Sequence, residues 1–185
     1  QADETPVQVM QEPGRTNTQK SYIWVYRGGD KNKKAVVYDY QETRAGQHSQ
    51  NFLHGFTGYL QTDGYCGYSW AAESKDITQL GCMAHARRPF AELIKLIKKP
   101  GKAHQALAYI QKLYAIEKEA REDKLTSEQR FKLRHQKAKP ILDKLKEWLE
   151  KTLRGSPPKG KLGKGIKYIM DRWAELTNYL QDGRL

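Results

Sequence analysis

Two aspartates are the residues of this chain best suited to metal chemistry. Asp3 lies just before a predicted strand, and Asp63 lies where a short apolar run, residues 59–62, gives way to Gly64. The chain around them contains 33 Lys and Arg against 21 Asp and Glu, which gives a formal net charge of +12. Two carboxylates repel a phosphodiester unless divalent cations stand between them, so this combination indicates a metal site that acts on a polyanion.

Asp63 has two interpretations at this level. Asp-Gly is a common turn dipeptide, so Asp63 and Gly64 could form a turn and nothing more. Alternatively, strand order could bring Asp63 beside Asp3, because two-metal phosphoryl chemistry needs ions about 3.5–4 Å apart flanked by carboxylates. Two aspartates are too few for such a site, and we expect a third acid.

The positive charge makes nucleic acid the first partner to consider, because binding releases the counterions condensed on phosphates. A basic protein with solvated helix faces is the alternative. No apolar run approaches the roughly 18–20 residues of a membrane span, so we expect a cytoplasmic protein without membrane contact. The first residue is Gln1 rather than Met, and we expect a fragment of a longer protein.

The two cysteines suggest a zinc site only weakly. Cys82 and His85 have a suitable spacing, but Cys66 is distant and a fourth ligand is missing. Two cysteines also cannot form a disulfide framework. We therefore interpret Cys66 and Cys82 as small apolar core residues.

Hydrophobic periodicity divides the chain into a strand-rich part and a helical part. Alternating residues predict strands at 5–10, 21–27, 35–40, 59–62 and 77–84, with a short helix at 48–56. From Pro89 the period becomes helical, and Thr126 with Gln129 fits a capping box. This order predicts an α/β fold, a ribonuclease-H-like mixed sheet core with a helical insertion after the last core strand.

We predict four segments along the chain. They are the strand-rich part of the core at 1–88, a helical insertion at 89–154, a basic Gly/Pro linker at 155–165, and a return helix at 166–185.

Basic residues form three groups that could contact DNA. His85, Arg87 and Arg88 follow the last predicted strand, where Arg guanidinium groups suit phosphate oxygens. A solvated basic turn, or a histidine in the core, is the alternative. Two lysine clusters could track a DNA backbone or simply be solvated; they comprise Lys95, Lys98, Lys99 and Lys102, and Lys159, Lys161, Lys164 and Lys167.

The chain resembles the catalytic region of bacterial insertion-sequence transposases of the sixty-six type. Four segments resemble the family's in the family's order: residues 2–7, 60–68, 81–88 and 172–185. The resemblance implies a ribonuclease-H-like fold with two aspartates and a glutamate as the acids. Asp3 matches the first and Asp63 the second, whereas the glutamate should follow Leu185. Met83 and Pro89 depart from the family's usual residues.

The resemblance also implies cofactors and partners. Asp3 and Asp63 would help to hold two Mg²⁺ ions, with Mn²⁺ as a substitute, and the active enzyme would act on double-stranded DNA as a homo-oligomer. We predict the catalytic core of a DNA transposase that cleaves and transfers strands, truncated before the glutamate and inactive alone. The alternatives are a non-catalytic DNA-binding module and a structure-selective nuclease of the same fold.

Overall fold

A computed structural model describes residues 1–29, 33–97, 99–157 and 159–185. Lys98 of the first lysine cluster and Pro158 of the predicted linker lie outside these ranges. The chain divides into two compact units, Gln1–Leu80 and Gly81–Leu185. The first unit contains the strands and the second contains long helices, so the predicted mixed α/β class is confirmed.

The five predicted strands are all present. β1 (Ala2–Gln8), β2 (Lys20–Gly29) and β3 (Lys34–Gln41) form an antiparallel sheet in the order β1-β2-β3. β4 (Gly58–Thr62) and β5 (Ile77–Gly81) form a second sheet of two strands. Because β1 begins at Ala2, Asp3 lies within the strand and is paired with Val25 of β2.

Short helical segments connect these strands. α1 (Gly46–Phe52) precedes β4, while a 3-10 turn (Cys66–Tyr68) and α2 (Trp70–Glu73) lie between β4 and β5. The helix predicted at 48–56 therefore starts and ends earlier, and Gly55 beyond its end has a φ of 75°. The two segments before β5 were not predicted, because three or four residues are too few to show a helical period.

The core of the first unit forms around one face of β2. Trp24 is fully buried and meets the ring of Tyr68 edge to face, with 5.8 Å between ring centroids. Tyr26, two residues further along the same face, stacks on Phe52 of α1 at 3.8 Å. Leu60 of β4 is also buried in this cluster. The core thus packs β2 against the end of α1, through Phe52, and against the segment after Asp63, through Tyr68.

The second unit is built from helices. Its long helices are α3 (Met83–Leu96), α4 (Lys102–Glu122) and α6 (Lys139–Arg154), and its shorter ones are α5 (Ser127–Leu133), α7 (Lys161–Asp171) and α8 (Trp173–Thr177). A π-helical turn (Arg134–Ala138) joins α5 to α6, and a 3-10 turn (Asn178–Gln181) follows α8. The apolar stripes of these helices form its core, which includes the fully buried Phe90, Ile110, Leu149 and Ile166.

The predicted capping box at the start of α5 is confirmed. The Gln129 N–H donates to Thr126 Oγ1 at 3.2 Å, and the Thr126 N–H donates to Gln129 Oε1 at 2.8 Å. Each side chain therefore satisfies a backbone donor that the first helical turn would leave without a partner.

Two predicted boundaries in the second half of the chain also differ from the structure. Met83 and Ala84 belong to α3 rather than to the last strand, since the helical period already starts with the buried Ala86 and Phe90. α7 begins at Lys161, inside the segment predicted as a linker. Gly165 of α7 lies against α3, where a Cβ would come 3.1 Å from Pro89 Cβ, so this glycine allows the two helices to pack closely.

No helix within the described ranges is long and apolar enough to cross a membrane.

Candidate functional site

Asp3 is exposed on one face of β1. Its neighbours Ala2 and Glu4 are buried on the opposite face, as expected from the alternation of side chains along a strand. Asp3 Oδ1 accepts a hydrogen bond from the Glu4 N–H at 2.9 Å. The carboxylate is therefore directed away from the core, where it is accessible to an ion.

Asp63 follows β4 directly and is half-buried. Its Oδ1 accepts the Tyr65 N–H at 2.8 Å, and Gly64 has a φ of 84°, a conformation that favours glycine. Asp63 thus forms the turn that its dipeptide suggests. The turn does not preclude metal binding, because a carboxylate has two oxygens and about four lone-pair sites.

Contacts within the first unit connect the two chain segments that carry these aspartates. Gln1 Nε2 donates to Gln61 Oε1 at 2.5 Å. Gln1 and Asp3 share a face of β1, and Gln61 and Asp63 are likewise two positions apart. Asp63 is also within electrostatic range of Glu4, and its charge adds to burial in raising the pKa of Glu4. Glu4 and Asp3 lie on opposite faces of β1, so this electrostatic contact concerns the Glu4 face of the strand. We call Asp3 and Asp63 together the candidate site.

Glu4 has a different role from the aspartates beside it. Its side chain is 1% exposed. Glu4 Oε2 accepts the Tyr68 hydroxyl at 2.8 Å, and Oε1 accepts Arg44 Nε at 2.8 Å and also Arg44 Nη2. Both oxygens are engaged by protein donors, so Glu4 is a structural carboxylate rather than a metal ligand. We call these three side chains the Glu4–Arg44–Tyr68 network.

A second set of contacts holds the loop after Asp63. The Arg44 guanidinium lies over the Tyr65 ring, 3.7 Å from its centroid, and the Tyr65 hydroxyl donates to the Arg44 carbonyl at 2.6 Å. At the start of α1, a Cβ on Gly46 would lie 2.4 Å from the Gly67 oxygen. The loop therefore packs directly on the backbone before and within α1, which fixes the Asp63 turn.

The carboxylates of the candidate site suit Mg²⁺ or Mn²⁺ in type, because these ions prefer oxygen ligands. Among the described residues, no group of three or more His, Cys, Asp or Glu could hold a metal ion. Asp3 and Asp63 could therefore serve as metal ligands only together with a further acid. The zinc alternative gains no support. The interpretation of Cys66 as a core residue is wrong, because Cys66 is exposed at the start of a 3-10 turn.

The predicted basic group of His85, Arg87 and Arg88 lies in the first turns of α3, within the second unit. His85 and Arg88 are three residues apart and share a helix face, with Arg88 exposed. His85 is half-buried, and its Nδ1 has no hydrogen-bond partner in the described part of the chain. Arg87 is within electrostatic range of Tyr114 on α4. Of the three residues, Arg88 is the exposed one, and His85 and Arg87 are half-buried.

The lysines predicted to bind nucleic acid lie around the start of α7. Lys159, Lys161 and Lys164 are exposed. Lys167, one turn beyond Lys164, lies 3.7 Å from Asp171 in an exposed ion pair. This arrangement is compatible with DNA contact and equally with a solvated helix face.

Sequence reasoning missed the Glu4–Arg44–Tyr68 network. Its members are far apart in the chain, and each has an unremarkable local context. The only available signal was that Glu4, next to Asp3, would face the core by strand alternation. A buried carboxylate requires a donor partner, but the sequence does not specify which one.

Comparison with known proteins gives a consistent family assignment. The family model described as "Transposase IS66 family" matches residues 1–185. Three uncharacterized proteins of Sinorhizobium fredii are similar: y4jD is 30% identical over 94% of this chain, y4hP is 32% identical over 88%, and y4qI is 32% identical over 100%. The matched region covers 36%, 33% and 36% of those relatives, respectively, so the chain spans about a third of their length. No solved structure matches the chain.

Proposed function

The chain belongs to the IS66 family of transposases, and we propose that it forms the part of a transposase catalytic core that carries two of three metal-binding acids. The intact enzyme would cleave DNA at the ends of a mobile element and join the freed 3′ ends to target DNA. One observation supports this proposal: Gln1 and Gln61, which are each two positions before one of these aspartates, are joined by a side-chain hydrogen bond.

We also propose a ribonuclease-H-like core for the first unit. Three antiparallel strands are followed by α1, β4, a short helical connection and β5. β1 is an edge strand of its sheet and contacts β4 of the other sheet, and Gln1, just before β1, bonds to Gln61 of β4. This order supports a fold in which β1 and β4 are central neighbours and carry the first two acids.

The proposed third acid is a glutamate from a segment of the intact protein outside these 185 residues. This proposal is supported by the chain's spanning only about a third of the length of its relatives. We therefore propose that the chain alone does not catalyse transposition.

Asp3 and Asp63 are the residues that would hold Mg²⁺ or Mn²⁺. Two divalent ions supply Lewis-acid stabilisation of the attacking and leaving oxygens in phosphoryl chemistry. The chain's own contribution is to position the carboxylates: the Tyr65 N–H orients Asp63, and the Glu4 N–H contacts Asp3. Positioning and charge neutralisation account for most of the catalysis of phosphoryl transfer, so fixed carboxylates are what this chemistry requires.

Double-stranded DNA is the proposed partner, and the active form is proposed to be a homo-oligomer. The formal net charge of +12 supports attraction to the phosphate backbone. Arg88, Lys159, Lys161 and Lys164 are exposed, and they are proposed contacts together with His85 and Arg87.

The test uses the intact transposase and DNA that carries the ends of its own element. Asp3→Asn and Asp63→Asn should each abolish Mg²⁺-dependent strand cleavage while leaving DNA binding nearly unchanged, because the amide keeps the shape and loses the charge. Asp76→Asn is the matched control, since Asp76 is an exposed residue before β5 and should have no effect on cleavage.

Three outcomes would contradict the proposal in different ways. Cleavage that survives in the Asp63→Asn variant would show that Asp63 is not a ligand. Cleavage by the unaltered enzyme without joining of ends would indicate a structure-selective nuclease. Metal-independent binding with no cleavage would indicate a non-catalytic DNA-binding module.

A further inference from the structure

We propose that Arg44 is a DNA-phosphate-binding residue of the candidate site. Its guanidinium, oriented by Glu4 and Tyr65, would donate through Nη1 to a non-bridging oxygen of a backbone phosphate beside Asp63. This inference rests on the proposed function, and it adds a substrate contact that neither the motifs nor the basic groups of the sequence suggested.

The first step of the argument is that the Arg44 side chain is held in one orientation. Arg44 lies in the loop between β3 and α1, and its Nε and Nη2 both donate to Glu4 Oε1. The face of the guanidinium covers the Tyr65 ring at 3.7 Å, and the Tyr65 hydroxyl returns to the Arg44 carbonyl. An ion pair on one edge and a ring on one face leave the guanidinium little freedom to rotate.

The second step is that one edge of this guanidinium is available to a ligand. An arginine has five N–H donors, two of them on Nη1. In the described part of the chain, the hydrogen bonds of the Arg44 side chain come from Nε and Nη2 only. The side chain is 43% exposed, although its partner Glu4 is 1% exposed. The charge is thus anchored in the core but presented at the surface.

The third step is the comparison with another arginine of the same unit. Arg15 also pairs with a glutamate, at 2.8 Å from Glu12, but its side chain is only 16% exposed. Its Nη1 also donates to Ser21 Oγ, and its Nη2 donates to the Lys20 carbonyl. Arg15 therefore uses both terminal nitrogens within the fold and has the pattern of a structural arginine, which Arg44 does not have.

The fourth step is the position of Arg44 beside the candidate site. The Asp63 carboxylate lies within electrostatic range of the Arg44 guanidinium. A phosphodiester that approaches Asp3 and Asp63 must bring its own negative charge close to two carboxylates. A fixed guanidinium at that place lowers the electrostatic cost of bringing the phosphodiester close to the two carboxylates. Its planar set of N–H donors also matches the geometry of phosphate oxygens better than a lysine ammonium does.

The experiment measures DNA binding by the intact transposase under conditions that do not allow cleavage, with Ca²⁺ in place of Mg²⁺. The DNA carries the element's own end, and single phosphates near the cleavage junction are replaced in turn by neutral methylphosphonates. Arg44→Gln should weaken binding of the unmodified duplex about tenfold, the effect of one lost charge-assisted hydrogen bond. Arg15→Gln is the matched control and should bind as the unaltered protein does.

The decisive comparison is the binding of the unaltered protein and of the Arg44→Gln variant to each methylphosphonate DNA. At one methylphosphonate position, the unaltered protein and the Arg44→Gln variant should bind equally well, because the contact is already lost. If the variant is instead weaker by the same factor at every position, Arg44 contacts no phosphate and the proposal is overturned.

Because Arg44→Gln leaves the Glu4 charge buried without its partner, the double variant Glu4→Gln/Arg44→Gln is tested in parallel. The neutral amide that replaces the Glu4 carboxylate removes the uncompensated charge, and the phosphate-specific loss should persist in this variant. The proposed function is tested by a different experiment, the cleavage assay of the Asp63→Asn variant. Its failure would appear there as surviving cleavage, and the binding experiment does not measure cleavage.

Discussion

Replacement of Arg134 by methionine should strongly destabilise the second unit. Arg134 lies in the π-helical turn between α5 and α6, and its side chain is 2% exposed. Nε and Nη2 donate to the two carboxylate oxygens of Glu117 at 2.7 and 2.9 Å. Nη1 donates to the carbonyls of Tyr179 and Asp182, each at 2.8 Å. One buried cation thus connects α4 to the segment after α8.

The magnitude follows from what the substitution leaves behind. Removing one partner of a buried ion pair costs about 3–5 kcal/mol. The Glu117 side chain is 23% exposed and can regain some water, which favours the lower end of that range. The carbonyls of Tyr179 and Asp182 lose a charged donor, and such hydrogen bonds are worth about 1.5–3 kcal/mol each but are not additive with the ion pair. We expect Arg134→Met to lower the free energy of unfolding by about 3 kcal/mol.

Urea unfolding of the 185-residue chain, followed by far-UV circular dichroism, measures this loss. Lys132→Met is the control, because Lys132 and Glu128 form an exposed i,i+4 pair and its removal should leave the midpoint unchanged. Amide hydrogen exchange should also accelerate at residues 178–182, which Arg134 holds. The reasoning is refuted if Arg134→Met unfolds at the same urea concentration as the Lys132→Met control.

Three further predictions concern the same chain. Gly165→Ala should lower stability by about 1 kcal/mol, because crowding against Pro89 Cβ at 3.1 Å and Phe90 Cζ at 3.2 Å outweighs the gain in helix propensity. Gly28→Ala, whose Cβ would meet nothing within 4 Å, is the control. Urea unfolding midpoints compare the two variants, and equal midpoints would contradict this packing. Thr126→Ala should cost about 1 kcal/mol through loss of the cap, which Thr126→Ser should restore in the same assay. Burial raises the pKa of Tyr179 to about 12, so the folded state keeps a proton that the unfolded state loses near pH 10. Stability should therefore fall by about 2–3 kcal/mol between pH 10 and 12, and Tyr179→Phe should show a smaller fall; an unchanged pH dependence would refute this.

Local patterns predicted the parts of the fold that depend on neighbouring residues. The alternation around Trp24 and Tyr26 located β2, because one face of that strand packs into the core. The capping box of Thr126 and Gln129 located the start of α5, because its hydrogen bonds span three residues. Asp3 and Asp63 were also identified from short segments of sequence, and their pairing in a metal site stays a prediction.

The parts that were missed depend on contacts between distant segments. Glu4, Arg44 and Tyr68 come from three separate elements, and their hydrogen bonds exist only after the first unit has folded. α7 begins at Lys161, and its Gly165 packs closely against α3, a contact that a glycine-rich composition does not reveal. Composition alone indicated a linker there, since glycine disfavours a helix unless packing compensates.

The most direct test of the central claim is a crystal structure of the intact transposase soaked in Mn²⁺, with the anomalous difference map examined around Asp3 and Asp63. The account predicts a peak in contact with both carboxylates. Carboxylates that lie on opposite sides of the first unit, with no anomalous peak at either, would contradict the assignment of these two aspartates as a shared metal site.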